Sequence, residues 1–402
     1  MPTRRRLTAT LFGGVALGTT GYIAATTVSP LAVVEITGQA TLAGLPGAVA
    51  ILGIAVGTSL LTLRVRERGR RPGLIVGYVL AAIGAATAVL ALVAGSLVLL
   101  LVAMAILGTG HASNHLARYT GAEMYPADRR ASALSLIVWA GTVGSVVGPS
   151  LLQPGARIAT GWGYPDLAGG YLLAVIFMTA AMGLYLVALR PDPVTLSFDP
   201  WTTDTKPIFG EAFRLPHVKV ALTALISGQV VMVLIMTSTP LHIRHGGSDL
   251  GIVGLVMSAH TLGMFAFSPL TGRLADRFGK YRTVLVGFAV LGVSAIMAAT
   301  APAGSTGMLL VALFLLGLGW NLGFVSGSAL LTVGFSPELR TRVQGRADSI
   351  TWGSSATASI LSGVFYQATD YRGLALIGLG LLAIPIVIVA RNRLVLAPTT
   401  VS

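Results

Sequence analysis

Two apolar stretches hold side chains able to do chemistry. "GQVVMVLIMTSTP" (228–240) sets Gln229, Met232 and Met236 at i, i+3 and i+7, and "MSAHTLGMF" (257–265) sets Met257, His260 and Met264 at the same spacing. Residues at those offsets share one face of a helix. A connector of about 242–250 makes the two helices antiparallel neighbours, so the faces can meet at similar depth. Thioether and imidazole are neutral ligands, and soft thioethers select Cu(I) over Zn, Mg or Mn. They add no charge to the ion and bind less tightly than thiolates, which suits a site that must let go of its load. The same residues have plainer uses. Methionine packs adaptably in apolar interiors, and a lone intramembrane histidine can hydrogen-bond a carbonyl or carry a proton.

A helical framework must position them. Of 402 residues, 54% are hydrophobic and only 10% charged, against about 25% charged in soluble domains. There is no cysteine, which excludes disulfides and thiolate metal ligands. Runs of roughly 20 apolar residues, enough to span a bilayer, fall near 8–30, 42–63, 73–93, 96–117, 132–153 and 168–189. A second six fall near 217–241, 251–272, 283–301, 306–331, 343–366 and 373–391. The first run follows "MPTRRRL" and is too long for a signal peptide, so it reads as an uncleaved span. The predicted chain is all-α and integral to the membrane: a six-helix half over 1–190, a linker over 191–216 and a second six-helix half over 217–402.

The basic residues predict orientation. With a cytoplasmic N-terminus, only Arg157, Arg244 and Arg372 of the 27 Lys and Arg fall outside. This positive-inside bias puts both termini in the cytoplasm and explains the net charge of +13 without a nucleic-acid partner. The halves also repeat. A shift of 210 places Pro30 on Pro240, Gly44 on Gly254 and Gly69 on Gly279; a shift of 209 places "LGTGH" (107–111) on "LGLGW" (316–320); and 211 places "PADR" (126–129) on "PELR" (337–340). Parallel repeats of this kind build transporters with a midplane substrate site. Tyr22, Thr26, Ala50 and Ile54 occupy the positions of Met232, Met236, His260 and Met264, so the candidate site is one-sided.

Other polar groups lie at membrane depth, where each is a functional candidate. His111 and His115, at i and i+4, could form a second site, but a hydrogen-bonded pair near Arg118 is the preferred reading. Asn321 is a further accessory candidate. Glu35 and Asp348 sit near span ends, and His242 and His245, flanking Arg244, read as solvated loop residues. No nucleophile–base set or phosphate loop suggests an enzyme, and no appended soluble domain suggests a sensor.

The stretch "GRLADRFGKYR" (272–282) resembles the loop signature of the major facilitator superfamily, and its first-half counterpart "TLRVRERGRR" (62–71) is degraded, with Thr62 and Arg66 at the glycine and aspartate positions. The resemblance implies a twelve-helix fold whose halves are related by a pseudo-two-fold, alternating access, and a conformational role for Gly272, Asp276, Arg277 and Gly279. The paired motifs Met232-x-x-x-Met236 and His260-x-x-x-Met264 resemble those of CcoA-type copper importers. That implies four copper ligands, Met232 and His260 the most critical, with copper as cargo rather than cofactor. It also implies import across a bacterial inner membrane, with release to a cytoplasmic copper acceptor. Similar sequences include riboflavin transporters, and "GTVGSVVGP" (141–149) partly resembles a drug–proton antiporter signature. A proton-coupled transporter or exporter of a small organic molecule is therefore the alternative.

Overall fold

The protein is described by a computed structural model covering residues 2–196, 212–302, 304–331 and 337–393. All regular structure among these residues is helical. The first segment carries α1 (Pro2–Thr37), α2 (Leu45–Arg68), α3 (Arg70–Val93), α4 (Leu97–Glu123), α5 (Ala127–Ser150), α6 (Leu152–Gly161) and α7 (Ala168–Ala188). The later segments carry α8 (Pro216–His245), α9 (Leu250–Phe265), α10 (Ser268–Phe278), α11 (Lys280–Thr300), α12 (Thr306–Leu330), α13 (Pro337–Leu381) and α14 (Ala383–Arg393). Among the described residues, ten helical stretches are long and apolar enough to cross a membrane, and α5–α6, bent by 51°, makes an eleventh if counted as one span. The longest, Val343–Val389, is divided at Asp370, whose φ of 65° lies outside the helical region. The Asp370 carboxylate then accepts from Gly373 N at 2.9 Å, capping the helix that follows.

Three spans differ locally from the sequence expectation, and backbone chemistry explains two of them. The fifth breaks at Leu151 because Pro154 has no N–H and its ring crowds the carbonyl four residues back. The eighth breaks at Ala266–Phe267, ahead of Pro269, for the same reason. The seventh extends to His245, so His242 is not a solvated loop residue. Its ring stacks on Tyr371 at 4.1 Å, and its Nε2 meets the Ala301 carbonyl at 3.2 Å.

By internal contacts the chain forms two units, one of Met1–Thr202 with Ile243–Ser258 and one of Thr203–His242 with Ala259–Ser402. Within the first, α4 packs along α2 and α3, and α1 packs against α5 and α7. These crossings are tight because glycine lets backbones touch, the usual solution inside a membrane. A Cβ on Gly108 would lie 2.2 Å from the Ala50 carbonyl oxygen, and one on Gly53 would lie 2.4 Å from that of Ala105. The second unit repeats the device. A Cβ on Gly317 would lie 2.1 Å from the His260 carbonyl, and one on Gly263 would lie 2.3 Å from that of Phe314. The internal sequence repeat is thus a repeat of helix crossings.

The "GTVGSVVGP" stretch is also packing. Cβ atoms on Gly144 and Gly148 would press on the Ala16 and Thr20 carbonyls of α1, and Gly254 abuts the Pro149 carbonyl within the first unit. Gly69 and Gly279 turn the chain at equivalent places with φ of +95° and +90°, a region costly for any residue with a Cβ. The first-half loop has Arg66 where the signature carries aspartate, and a carboxylate arrives from elsewhere. Asp192, just past α7, accepts from the Arg70 and Arg71 amides at 3.2 and 3.0 Å, at the positive end of α3. The buried Arg70 guanidinium meets Glu123 of α4 at 2.5 Å.

Candidate functional site

His260 lies where α9 crosses α12 and is wholly buried. Its Nδ1 is 2.9 Å from the Leu313 carbonyl oxygen. A carbonyl can only accept, so Nδ1 carries the hydrogen and Nε2 keeps its lone pair. That Nε2 is buried and has no hydrogen-bond partner. Met232 is buried in α8, whereas Met236 in α8 and Met264 in α9 are half-buried. No group of three or more histidine and carboxylate side chains among the described residues is gathered as for a metal ion. A metal reading therefore rests on the thioethers and one imidazole.

Gln229 has another use. Its Oε1 accepts from the Trp320 indole N–H at 2.7 Å, and its Nε2 donates to Ser355 Oγ at 3.1 Å, which ties α8 to α12 and α13. Trp320 lies flat against Phe324 (4.5 Å, 17°) and edge-on to Phe265 (6.0 Å, 75°). The result is an aromatic cluster with one buried carboxamide and one hydroxyl at its rim. Trp320, Phe324, Phe265 and Ser355 are missing from the sequence-derived set. Only the repeat pointed to Trp320, which occupies the position of His111.

Asn321 acts as a clamp. Its Nδ2 donates to the Met264 carbonyl at 2.6 Å and to Ser268 Oγ at 2.7 Å, while its Oδ1 accepts from Thr271 Oγ1 at 2.5 Å. It thereby holds both sides of the break between α9 and α10, where Pro269 cannot supply an amide. The equivalent helix of the first unit is unbroken: Thr58 Oγ1 bonds the Ile54 carbonyl within a continuous α2. We expect Asn321→Ala to lower stability by about 1–2 kcal/mol, checked by thermal unfolding in detergent. An unchanged midpoint would show that the break holds without the amide.

His111 stacks on Tyr22 of α1 at 3.7 Å and 14°, and His115 meets it edge-on at 5.8 Å. Asn114 Nδ2 lies 3.4 Å from His111 Nδ1 and 3.0 Å from Thr19 Oγ1, and its Oδ1 accepts from the Tyr78 hydroxyl at 2.6 Å. Of the two, His111 is hydrogen-bonded to Asn114, and it meets His115 by ring contact. The loop residues fall away from these clusters. Asp276 and Gly279 line a cleft of about 380 Å³ with His217, Ala275, Lys280, Tyr281 and Leu330. Arg277 lies over Phe278 at 5.5 Å, and a Cβ added at Gly272 would meet nothing within 4 Å among the described residues.

Buried polar clusters among apolar spanning helices define a multi-pass membrane protein. The sequence profile of the Major Facilitator Superfamily matches residues 10–253 and 244–400, and the chain belongs to that superfamily. It is similar to the uncharacterized MFS-type transporter YdeG of Bacillus subtilis (strain 168), 37% identical over 95% of this chain and 90% of that one. The riboflavin transporter RfnT of Brucella anthropi is 28% identical over 84% of this chain and 83% of its own. Among solved structures, that of the nucleoside transporter NupG superposes with a TM-score of 0.75 at 13% identity, covering 98% of this chain and 99% of that one, which speaks to the fold alone.

Proposed function

We propose that the chain transports a small planar heteroaromatic solute of the flavin class by alternating access. The observation that carries this reading is the cluster around Trp320. A flat ring system with a polar edge matches stacked aromatic faces rimmed by a carboxamide and a hydroxyl, the usual make-up of an organic-ligand site. The relative named a riboflavin transporter supports the same solute class.

Copper is the second reading, and one observation favours it. A metal-binding histidine characteristically donates its far N–H to a backbone carbonyl, as His260 does to Leu313, and leaves a lone pair for the ion. Met232, Met236 and Met264 would then supply the thioethers.

Uptake of radiolabelled riboflavin by a riboflavin-requiring bacterium carrying this chain or an empty vector is the direct test, with cell copper measured in parallel. Riboflavin uptake that depends on the chain is expected. No such uptake, together with copper accumulation lost in His260→Ala, would replace the first reading by the second.

A further inference from the structure

We propose that His111 is the proton-carrying group of the transport cycle, that α1 senses its protonation through Asn114, and that transport is thereby driven by a proton gradient. The proposal rests on the solute reading above only for the choice of substrate.

The molecule supplies its own control. Under the repeat, His111 and His115 fall on Trp320 and Phe324, and both pairs are aromatic side chains four residues apart on equivalent helices. In the second unit, packing at this level is met by rings that cannot titrate. Imidazoles are therefore not required by the shape of the fold, and their chemistry is what distinguishes the first unit. Among the described residues, carboxylates do not compete for the role at this depth. Glu35 and Asp348 are exposed near span ends, and Glu123 is held by Arg70 at the end of α4.

The hydrogen bonds show how a proton would be registered. With His111 neutral, Asn114 donates to His111 Nδ1 and to Thr19 Oγ1, and its Oδ1 accepts the Tyr78 hydroxyl hydrogen. A proton arriving on Nδ1 turns that atom from acceptor to donor. The amide of Asn114 must then rotate, so that Oδ1 accepts from Nδ1–H and Thr19, and Nδ2 donates to Tyr78. The tyrosine passes its own hydrogen to the Gly14 carbonyl, which already lies 2.9 Å away. Thr19, Gly14 and the stacked Tyr22 all belong to α1, so one proton changes the bonding along about two turns of that helix. His115, edge-on to His111 and half-buried, is the next acceptor towards the Glu123 end of α4.

The titratable groups around His111 are few. Tyr22 faces it from α1. Tyr78 faces it from α3, through Asn114, with Tyr185 of α7 behind at 5.2 Å. On α4 itself are His115 and, further along, Arg118. The charged residues of α2 begin at Arg64, past this level, and the described side chains of α5 and of the turn Pro193–Leu196 include none that titrate.

The test uses the purified full chain in liposomes, with His111→Gln and His111→Phe, the latter patterned on the second unit's rings. With one proton per solute, a gradient of about one pH unit should drive about tenfold riboflavin accumulation in the wild type. Both variants should lose that accumulation while keeping riboflavin counterflow within about twofold. Accumulation retained by either variant would overturn the proposal. Absence of counterflow in the wild type would instead count against the solute reading. Nitrogen NMR of the six histidines then decides the matter without substrate. His111 should hold an unprotonated Nδ1 in alkaline buffer and gain a proton there on acidification; a ring that stays neutral throughout would refute its role.

Discussion

Trp320→Ala is expected to raise the riboflavin concentration for half-maximal uptake by about 30-fold. Stacking of one heteroaromatic ring on an aromatic side chain is worth about 1–3 kcal/mol by alanine substitution, and about 2 kcal/mol corresponds to that factor. The substitution has a second consequence. It takes the hydrogen from Gln229 Oε1, which is buried and has the indole N–H at 2.7 Å. Trp320→Phe separates the two effects: it keeps a ring against Phe324 and removes only the donor, so its shift should fall between wild type and alanine. Ser355→Ala, which touches the rim and not the stack, should move uptake least. Kinetics of riboflavin uptake at matched protein levels check all three. Equal kinetics for wild type and Trp320→Ala would remove the cluster from the transport path.

Gly317→Ala is expected to be the most damaging single-methyl change tested, with Gly108→Ala close behind. The added Cβ would sit 2.1 Å from the His260 carbonyl oxygen in one case and 2.2 Å from that of Ala50 in the other. Both obstacles are backbone, so no side chain can swing away and the helices must separate. Overpacking of this kind costs about 1–3 kcal/mol, and rigid neighbours put it at the upper end. Gly353→Ala is the control, because nothing among the described residues lies within 4 Å of its Cβ position. It should change stability by less than about 1 kcal/mol. Thermal unfolding in detergent distinguishes these outcomes, and equal midpoints for Gly317→Ala and Gly353→Ala would show that α9 and α12 tolerate separation. Separation would also draw His260 from Leu313, so Gly317→Ala links stability to the orientation of that imidazole.

Much of the architecture was legible from local chemistry. Apolar run length marks a spanning helix wherever it occurs, since lipid leaves the backbone no other partner. The shift of about 210 residues announced that Gly108 and Gly317, and Gly69 and Gly279, would do the same work. Prolines 154 and 269 carried the signal for the breaks in the fifth and eighth spans, and the rule for them is equally local. The face shared by Gln229, Met232 and Met236 follows from helix geometry alone.

Hydrogen-bond partners were not legible, because a side chain's partner is chosen by which helix lies beside it. Gln229 belongs to Trp320 and Ser355, some 91 and 126 residues away. Asn321 holds a helix break 50 to 57 residues upstream. Asp192 supplies the carboxylate that position 66 lacks, from 122 residues beyond the Arg70 amide it meets. Sequence spacing put methionine and histidine on promising faces, but only packing decides which polar atoms are already satisfied. The sequence determined the helices, their repeat and the glycines at their crossings, all set within a turn or by the repeat itself. Tertiary structure alone decided that His260 keeps a free Nε2 lone pair, and that the imidazole of His111 shares a hydrogen-bond network with α1. Both depend on the one neighbouring atom that each ring nitrogen meets.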